Sequence, residues 1–181
     1  MRVIGGRLGS RVLKSLPGLD TRPTPDRLRE SLFNILSPRI EGALFVDAYA
    51  GTGAVGIEAL SRGASRVVFL ERAKGALSVL RENLKSLGVV QDAEVVAGKA
   101  AALLNKYAPS AQIVFLDPPY EQEREYLACM EILSEAPPEL VIVQHPIRFT
   151  VGEQWPGLKQ LRVVRQGDNA LTFFERNLPG M

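Results

Sequence analysis

Asp47-Ala-Tyr-Ala-Gly-Thr-Gly-Ala-Val-Gly56 follows directly on the apolar run Ala43-Leu-Phe-Val46 and leads into a helix-prone segment, Ala54 to Arg62, that stops at Gly63. Small residues where a strand turns into a helix let the backbone approach a ligand. The helix N-terminus then presents free N–H groups to polar or anionic atoms. The next apolar run, Arg66-Val-Val-Phe-Leu-Glu71, again ends in an acid. A carboxylate at that point is placed to accept hydrogen bonds from two ribose hydroxyls. Strand, glycine turn, helix and second strand in this order open an α/β domain with a mostly parallel sheet.

The pattern continues outward. A helix is expected over Lys74 to Leu87, with Leu77, Leu80, Leu84 and Leu87 at helical spacing and Gly88 as its stop. A strand fits Ala93 to Ala97 and a short helix Ala100 to Tyr107. Gln112-Ile-Val-Phe-Leu-Asp117 is the clearest later strand, halted by Pro118-Pro119; a helix over Glu123 to Ser134 and a strand over Leu140 to Val143 follow. Lys159 to Val164 and Ala170 to Glu175 are β-rich runs about the turn Gln166-Gly-Asp-Asn169, which predicts an antiparallel hairpin closing the sheet. A plain dinucleotide fold ends on parallel strands instead.

The chain has 181 residues, 46% of them hydrophobic, enough for one globular domain with a short appendage. Its single cysteine, Cys129, excludes an internal disulfide and fits a reducing compartment. No apolar run has the length of a membrane span and no signal-peptide pattern opens the chain, so a cytoplasmic protein is expected. Charge is unevenly spread. Residues 1–40 hold eight basic side chains (Arg2, Arg7, Arg11, Lys14, Arg22, Arg27, Arg29, Arg39) against three acids, while the remainder holds 14 basic and 17 acidic residues. The basic end reads either as a polyanion footprint or as a solvated surface. Glycines 5, 6 and 9 lie between β-prone pieces and suggest a small hairpin. Thr24-Pro25-Asp26 is expected to open a helix, with Thr24 as N-cap and Pro25 in the first position. Leu28, Leu32, Ile35 and Leu36 would face the core, and Arg27 and Arg29 would point elsewhere. Residues 1–40 are thus expected as a basic N-terminal extension, and 41–181 as the catalytic domain.

Two features carry chemistry. Gly51, Gly53 and Gly56 satisfy a G-x-G-x-x-G register, which by itself admits a dinucleotide. Asp47, four residues before Gly51, suits the ammonium of an amino acid better than a pyrophosphate, and S-adenosylmethionine carries both that ammonium and a ribose. The expected cofactor set is Asp47, Ala50, Gly51, Thr52, Gly53, Glu71 and Arg72. The second feature, Asp117-Pro118-Pro119-Tyr120, ends a strand at the same sheet edge, where open α/β sheets bind ligands. An Asp carboxylate and the Pro118 carbonyl can hold both hydrogens of a nucleobase amino group. Tyr120 offers a face on which an extruded base stacks, worth about 1–3 kcal/mol.

These motifs resemble motifs I and IV of amino-methyltransferases that act on bases. Arg2-Val-Ile-Gly-Gly6, Thr21-Arg-Pro-Thr-Pro-Asp-Arg-Leu-Arg-Glu-Ser-Leu-Phe-Asn-Ile-Leu36 and Gly51-Thr-Gly-Ala-Val-Gly-Ile-Glu-Ala-Leu-Ser-Arg-Gly-Ala64 narrow the likeness. Together they are similar to the bacterial small-subunit (16S) ribosomal RNA guanine-N2 methyltransferase family over nearly the whole chain. The resemblance implies a Rossmann-like class I sheet of seven strands with the last antiparallel, and an N-terminal extension that grips RNA. It further implies methyl transfer from S-adenosylmethionine to N2 of a guanine, on the RNA or on an assembled small-subunit particle. A monomer is expected, because the sequence shows no long hydrophobic patch or coiled-coil heptad. Arg22, Thr24 and Arg27 would lie near the active-site mouth, with Arg2, Arg7 and Arg11 in the basic footprint. Ala97-Gly-Lys-Ala100 lacks the acid that relatives place near the adenine amino group, and Gln144-His145 stands where an acid often follows the fifth strand.

His145, the only histidine, has no partner for a metal site and reads as structural. Cys129, Phe149 and Trp155 read as packing residues; Tyr49 either lines the cofactor cleft or packs beneath it. Other readings keep the fold: an amino-methyltransferase acting on adenine N6 or a protein glutamine, an NAD-type oxidoreductase, or a non-catalytic RNA-binding assembly factor.

Overall fold

Phe45 and Val46 are neighbours in one strand, and they bury in different cores: Phe45 with Val67, Phe69, Ile113 and Phe115, Val46 with Val68, Leu70, Val114 and Leu116. Alternation with period two sends successive side chains to opposite faces. Strands buried this way on both sides require helices over each face. The computed structural model describes residues 1–17, 25–119, 122–152 and 154–177. Its elements run α1 (Asp26–Ile40), β1 (Leu44–Asp47), α2 (Ala54–Ser61), β2 (Arg66–Glu71), α3 (Lys74–Ser86), β3 (Ala93–Ala97), α4 (Ala100–Tyr107), β4 (Ile113–Leu116), α5 (Glu123–Glu135), β5 (Leu140–Pro146), β6 (Gln154–Trp155), β7 (Leu158–Gln166) and β8 (Asn169–Arg176). The N-terminal segment, α1, α2 and α3 supply the core on the Phe45 face, and α4 and α5 supply the one on the Val46 face.

The strands form one sheet in the order β3-β2-β1-β4-β5-β8-β7-β6. β1 to β5 are parallel, β8 pairs antiparallel with β5, and β7 pairs antiparallel with β8. This is the Rossmann-like class I methyltransferase arrangement, in which the last strand is inserted antiparallel before its predecessor. The two-residue β6 on the outer edge is an addition to the seven strands expected. β5 also runs three residues past Val143, because Gln144, His145 and Pro146 continue the ladder with Leu171, Ala170 and Asn169. The strand order reverses between β1 and β4, so the carboxyl ends of these two strands bound the crevice where such sheets bind ligands.

At the N-terminus the expected hairpin is reduced to a single bridge, Arg2 with Val12, around a 3-10 turn at Gly6–Leu8. Helix α1 begins one residue later than expected. Pro25 is its N-cap, with extended ψ of 142°, and its carbonyl takes the first helical bond from Arg29 N–H at 3.0 Å. Thr24 and Arg22 lie outside the described residues.

Arg29 corrects the sequence reading outright. It does not point to solvent: it is fully buried and faces Glu58 of α2, itself fully buried, with Nε 3.5 Å from Oε1. Glu58 also accepts the backbone N–H of Ile4 (2.8 Å) and Gly5 (2.9 Å) and the Nε of Arg62 (3.0 Å). Burial lowers the Arg29 pKa and the Glu58 and Asp26 charges oppose that shift. One carboxylate therefore ties the N-terminal segment, α1 and α2 together.

Candidate active site

Asp47 is the last residue of β1, almost wholly buried, and its Oδ2 accepts the N–H of Gly56 in the first turn of α2 at 3.0 Å. The loop between them is held by backbone bonds, Ala48 N–H to Phe115 O and Ala50 N–H to Leu70 O, both 3.0 Å. Gly51 and Gly53 both have positive φ, 56° and 97°. A Cβ on Gly51 would meet nothing within 4 Å, so that glycine faces open space. A Cβ on Gly53 would lie 2.4 Å from Leu80, and one on Gly56 2.3 Å from Phe69. Gly51 and Gly53 are the glycines expected in the cofactor set; packing of α2 against α3 and β2 already requires glycine at 53 and at 56.

Glu71 closes the loop from the next strand. Its Oε2 accepts Gly51 N–H at 2.8 Å, and its Oε1 accepts Arg72 and Ala73 N–H at 3.1 Å. A carboxylate offers about four lone-pair sites, so these bonds position Glu71 and leave acceptor capacity. The Arg72 side chain is exposed. Asn83 of α3, unnoticed in the sequence, is buried and donates to the Thr52 carbonyl (3.0 Å) while exchanging bonds with the Lys14 backbone. Its only sequence signal is an amide on the Leu77–Leu80–Leu84 face of an amphipathic helix.

Asp117 follows the last residue of β4. Asp47 pairs with Phe115, so Asp117 stands two residues beyond Asp47 on the adjacent strand. Burial pushes Asp117 up to about 8, and the Asp47 charge adds to the shift. Asp47 rises to about 7, again chiefly through burial, with Glu71 repelling it and the Gly56 N–H partly offsetting the rise. Neither acid forms an ion pair among the described residues. Pro118 is buried and Pro119 exposed; Tyr120 lies outside the described residues. The Pro118 carbonyl, expected to be free, already accepts the hydroxyl of buried Tyr126 at 3.3 Å. That bond uses one lone pair and aims the second. Tyr126 in turn packs on Phe149, ring centroids 4.8 Å apart.

Arg2, Arg7, Arg11 and Arg27 are exposed. Arg7 reaches Asp92 at 3.7 Å and Arg11 the Ser86 carbonyl at 3.1 Å. Tyr49 packs beneath the loop, its hydroxyl donating to Glu125 (2.8 Å) and lying 3.2 Å from the Cys129 sulfur. Burial raises the pKa of both Tyr49 and Cys129. His145 is buried, with its ring nitrogens against the Pro146 carbonyl and the Thr172 hydroxyl, and burial lowers its pKa. Beside it, Gln144 is buried with its Oε1 unpartnered.

The acid pair makes stability pH-dependent. A carboxyl whose folded pKa lies above its unfolded value stabilises the fold fully below the unfolded value, and that contribution is lost as pH rises through the folded value. The thermal midpoint of the ligand-free protein is therefore expected to fall between about pH 5 and about pH 9, and Asp47→Asn to flatten that fall. A midpoint that rises over this range contradicts the assignment.

Comparison with known proteins gives the family and the fold. A protein family described as "Conserved hypothetical protein 95" matches residues 1–175. Ribosomal RNA small subunit methyltransferase D of Escherichia coli K12 is 41% identical over 124 residues, 67% of this chain and 61% of that protein's own length. The solved E. coli protein yhhF, described as a candidate methyltransferase, superposes with a TM-score of 0.81 at 34% identity over 97% of both chains. An RNA methyltransferase of Salinibacter ruber, solved with S-adenosyl-L-homocysteine, shares the fold at 17% identity and a TM-score of 0.67, covering 88% of this chain and 97% of its own. On its match over residues 1–175 the chain belongs to the conserved hypothetical protein 95 family, class I methyltransferases that include relatives named for small-subunit ribosomal RNA.

Proposed function

We propose that this chain transfers a methyl group from S-adenosylmethionine to the exocyclic N2 of a guanine in small-subunit ribosomal RNA. The observation that carries the reading is the unneutralised acid pair, Asp47 and Asp117, at the two strand ends flanking the switch point, with Glu71 beside them. Two buried acids and Glu71, with no cation paired to Asp47 or Asp117 among the described residues, offer a pyrophosphate nothing and suit a ligand that brings positive charge. The donor set therefore fits S-adenosylmethionine and disfavours a dinucleotide. Asp47 would take the ammonium, Glu71 the ribose hydroxyls, and the open side of Gly51 admits the ligand to backbone. When bound, the cofactor supplies an already activated methyl carbon.

What remains for the protein is positioning. A cationic ligand pulls both acids back toward ionisation, so Asp117 enters the reaction as an acceptor. It takes one hydrogen of the base amino group, and the Pro118 carbonyl takes the other through the lone pair that Tyr126 leaves open. Asp117 orients the nitrogen and is the first acceptor for the proton released after transfer. Tyr120 is assigned the stacking face. Exposed Arg2, Arg7, Arg11 and Arg27, with Arg22 and Thr24, form the grip of the N-terminal extension, residues 1–40, on the RNA, and 41–181 form the catalytic domain. The enzyme acts as a cytoplasmic monomer; no helix among the described residues is long and apolar enough to cross a membrane.

The test is to incubate the protein with radiolabelled S-adenosylmethionine and small ribosomal subunits from cells lacking it, then to identify the labelled nucleoside. Label in N2-methylguanosine is expected. Label in N6-methyladenosine or in protein removes the guanine assignment. No label, with cofactor binding confirmed, leaves an assembly factor.

A further inference from the structure

The carboxyl edge of the sheet extends past the crevice. β5 ends at Pro146, which pairs with Asn169 at the start of β8, and Gln166 at the end of β7 pairs with the same Asn169. Ile147 and Arg148 follow Pro146, and Ile147 N–H bonds to the Asp168 carbonyl at 2.9 Å. The segment 146–149 and the turn 166–169 therefore form one ledge on the same edge as Asp117. The ledge also touches the catalytic turn physically: Phe149 packs on Tyr126, whose hydroxyl holds Pro118.

Ile147 is 46% exposed and stands beside Arg148. Arg148 and Arg165 are exposed and form no ion pair among the described residues. Arg165 lies on β7, three strand spacings from β4, or about 14 Å at ~4.8 Å each. That is the reach of the nucleotides flanking a base held at Asp117.

We infer that Ile147, Arg148 and Arg165 form a second RNA-contact surface, on the opposite side of the catalytic turn from the N-terminal extension. The inference rests on the reading of the chain as an RNA methyltransferase. The two arginines take phosphates flanking the target, and Ile147 packs against a sugar or an unstacked base. A base drawn out of a helix needs its backbone held on both sides, because paired neighbours otherwise pull it back. The ledge provides one such hold; Arg7 and Arg11 do not provide the other, because they sit against Asp92 and Ser86 where α3 ends and β3 begins, at the opposite sheet edge.

The experiment compares wild type, Arg148→Ala/Arg165→Ala and Arg39→Ala on small subunits lacking the methyl group, over a range of potassium chloride concentrations. Arg39 is also exposed but belongs to the last turn of α1, which leads into β1 at the opposite edge of the sheet. The double variant is expected to bind subunits about tenfold more weakly, and its log-affinity against log-salt slope to be shallower by about 1.4–1.8, two phosphates' worth. Cofactor affinity and thermal midpoint should stay at wild-type values, and Arg39→Ala should match wild type throughout. A photo-crosslinker at Ile147 should capture RNA. A double variant with unchanged affinity and slope, an equal effect from Arg39→Ala, or crosslinks to ribosomal protein alone would each overturn the inference while leaving the transfer activity standing. If the wild type neither binds nor methylates the subunits, the underlying reading fails as well.

Discussion

Asp117→Ala is expected to lower methyl transfer about 10²–10³-fold, with cofactor affinity changed little and the fold intact. Among the described residues no hydrogen bond or ion pair is made by the Asp117 side chain, which stands at the strand end beyond Phe115, so its loss chiefly removes an acceptor for the base amino group. Its absence also relieves repulsion. The Asp47 charge helps to hold Asp117 near 8, and that repulsion is gone in the variant. The variant should therefore be at least as stable as wild type at pH 8, while nearly inactive. Asp117→Asn keeps one acceptor oxygen and should retain more activity than the alanine variant. Single-turnover transfer to small subunits, read beside thermal melts at pH 8, checks both halves. Full activity in Asp117→Ala would remove the carboxylate from the reaction.

Glu58→Ala should destabilise the fold by about 3–5 kcal/mol. It would leave the buried Arg29 guanidinium with exposed Asp26, at 3.3 Å, as its remaining carboxylate, and strip the acceptor from the Ile4 and Gly5 N–H groups. The cost falls on the docking of the N-terminal segment and of α1. Before global unfolding, hydrogen exchange should report early exposure of residues 1–17. Combining Glu58→Gln with Arg29→Met removes both charges together and should recover part of the loss, because the desolvation cost of the buried guanidinium disappears. A loss below about 1 kcal/mol for Glu58→Ala, in the range of a surface ion pair, would show that the pair is not buried in solution.

Arg29 shows why this network was not legible in the chain. A helix pattern read from Leu28, Leu32, Ile35 and Leu36 assigns charged neighbours to solvent, which is sound when the helix has one buried face. Here the N-terminal segment covers a second face, and Arg29 donates to the Arg2 carbonyl within it. The partner carried a usable signal. Glu58 is the sole charge in Ala54-Val-Gly-Ile-Glu-Ala-Leu-Ser61, a helix buried at nearly every position. A lone acid in so apolar a helix needs a buried cation or several N–H groups. Pro118 is a parallel case. Its carbonyl is available by local chemistry, yet Tyr126, eight residues on, already bonds to it.

The sequence by itself determined the architecture and the sheet edge that the candidate site residues share. Strand alternation, helical spacing and the glycine turns are local properties, so β1 to β5 and the closing hairpin were readable, and with them the shared edge of Asp47, Glu71 and Asp117. Tertiary structure decided what long-range burial controls. It set the electrostatic state of the acids, because Asp47 and Asp117 rise only when strands 66 residues apart in the chain lie side by side. It sorted the glycines into one that faces open space and two that packing requires. It turned Arg29 inward and aimed Pro118, since the partners that settle a side chain's direction come from elements whose contact no local pattern encodes.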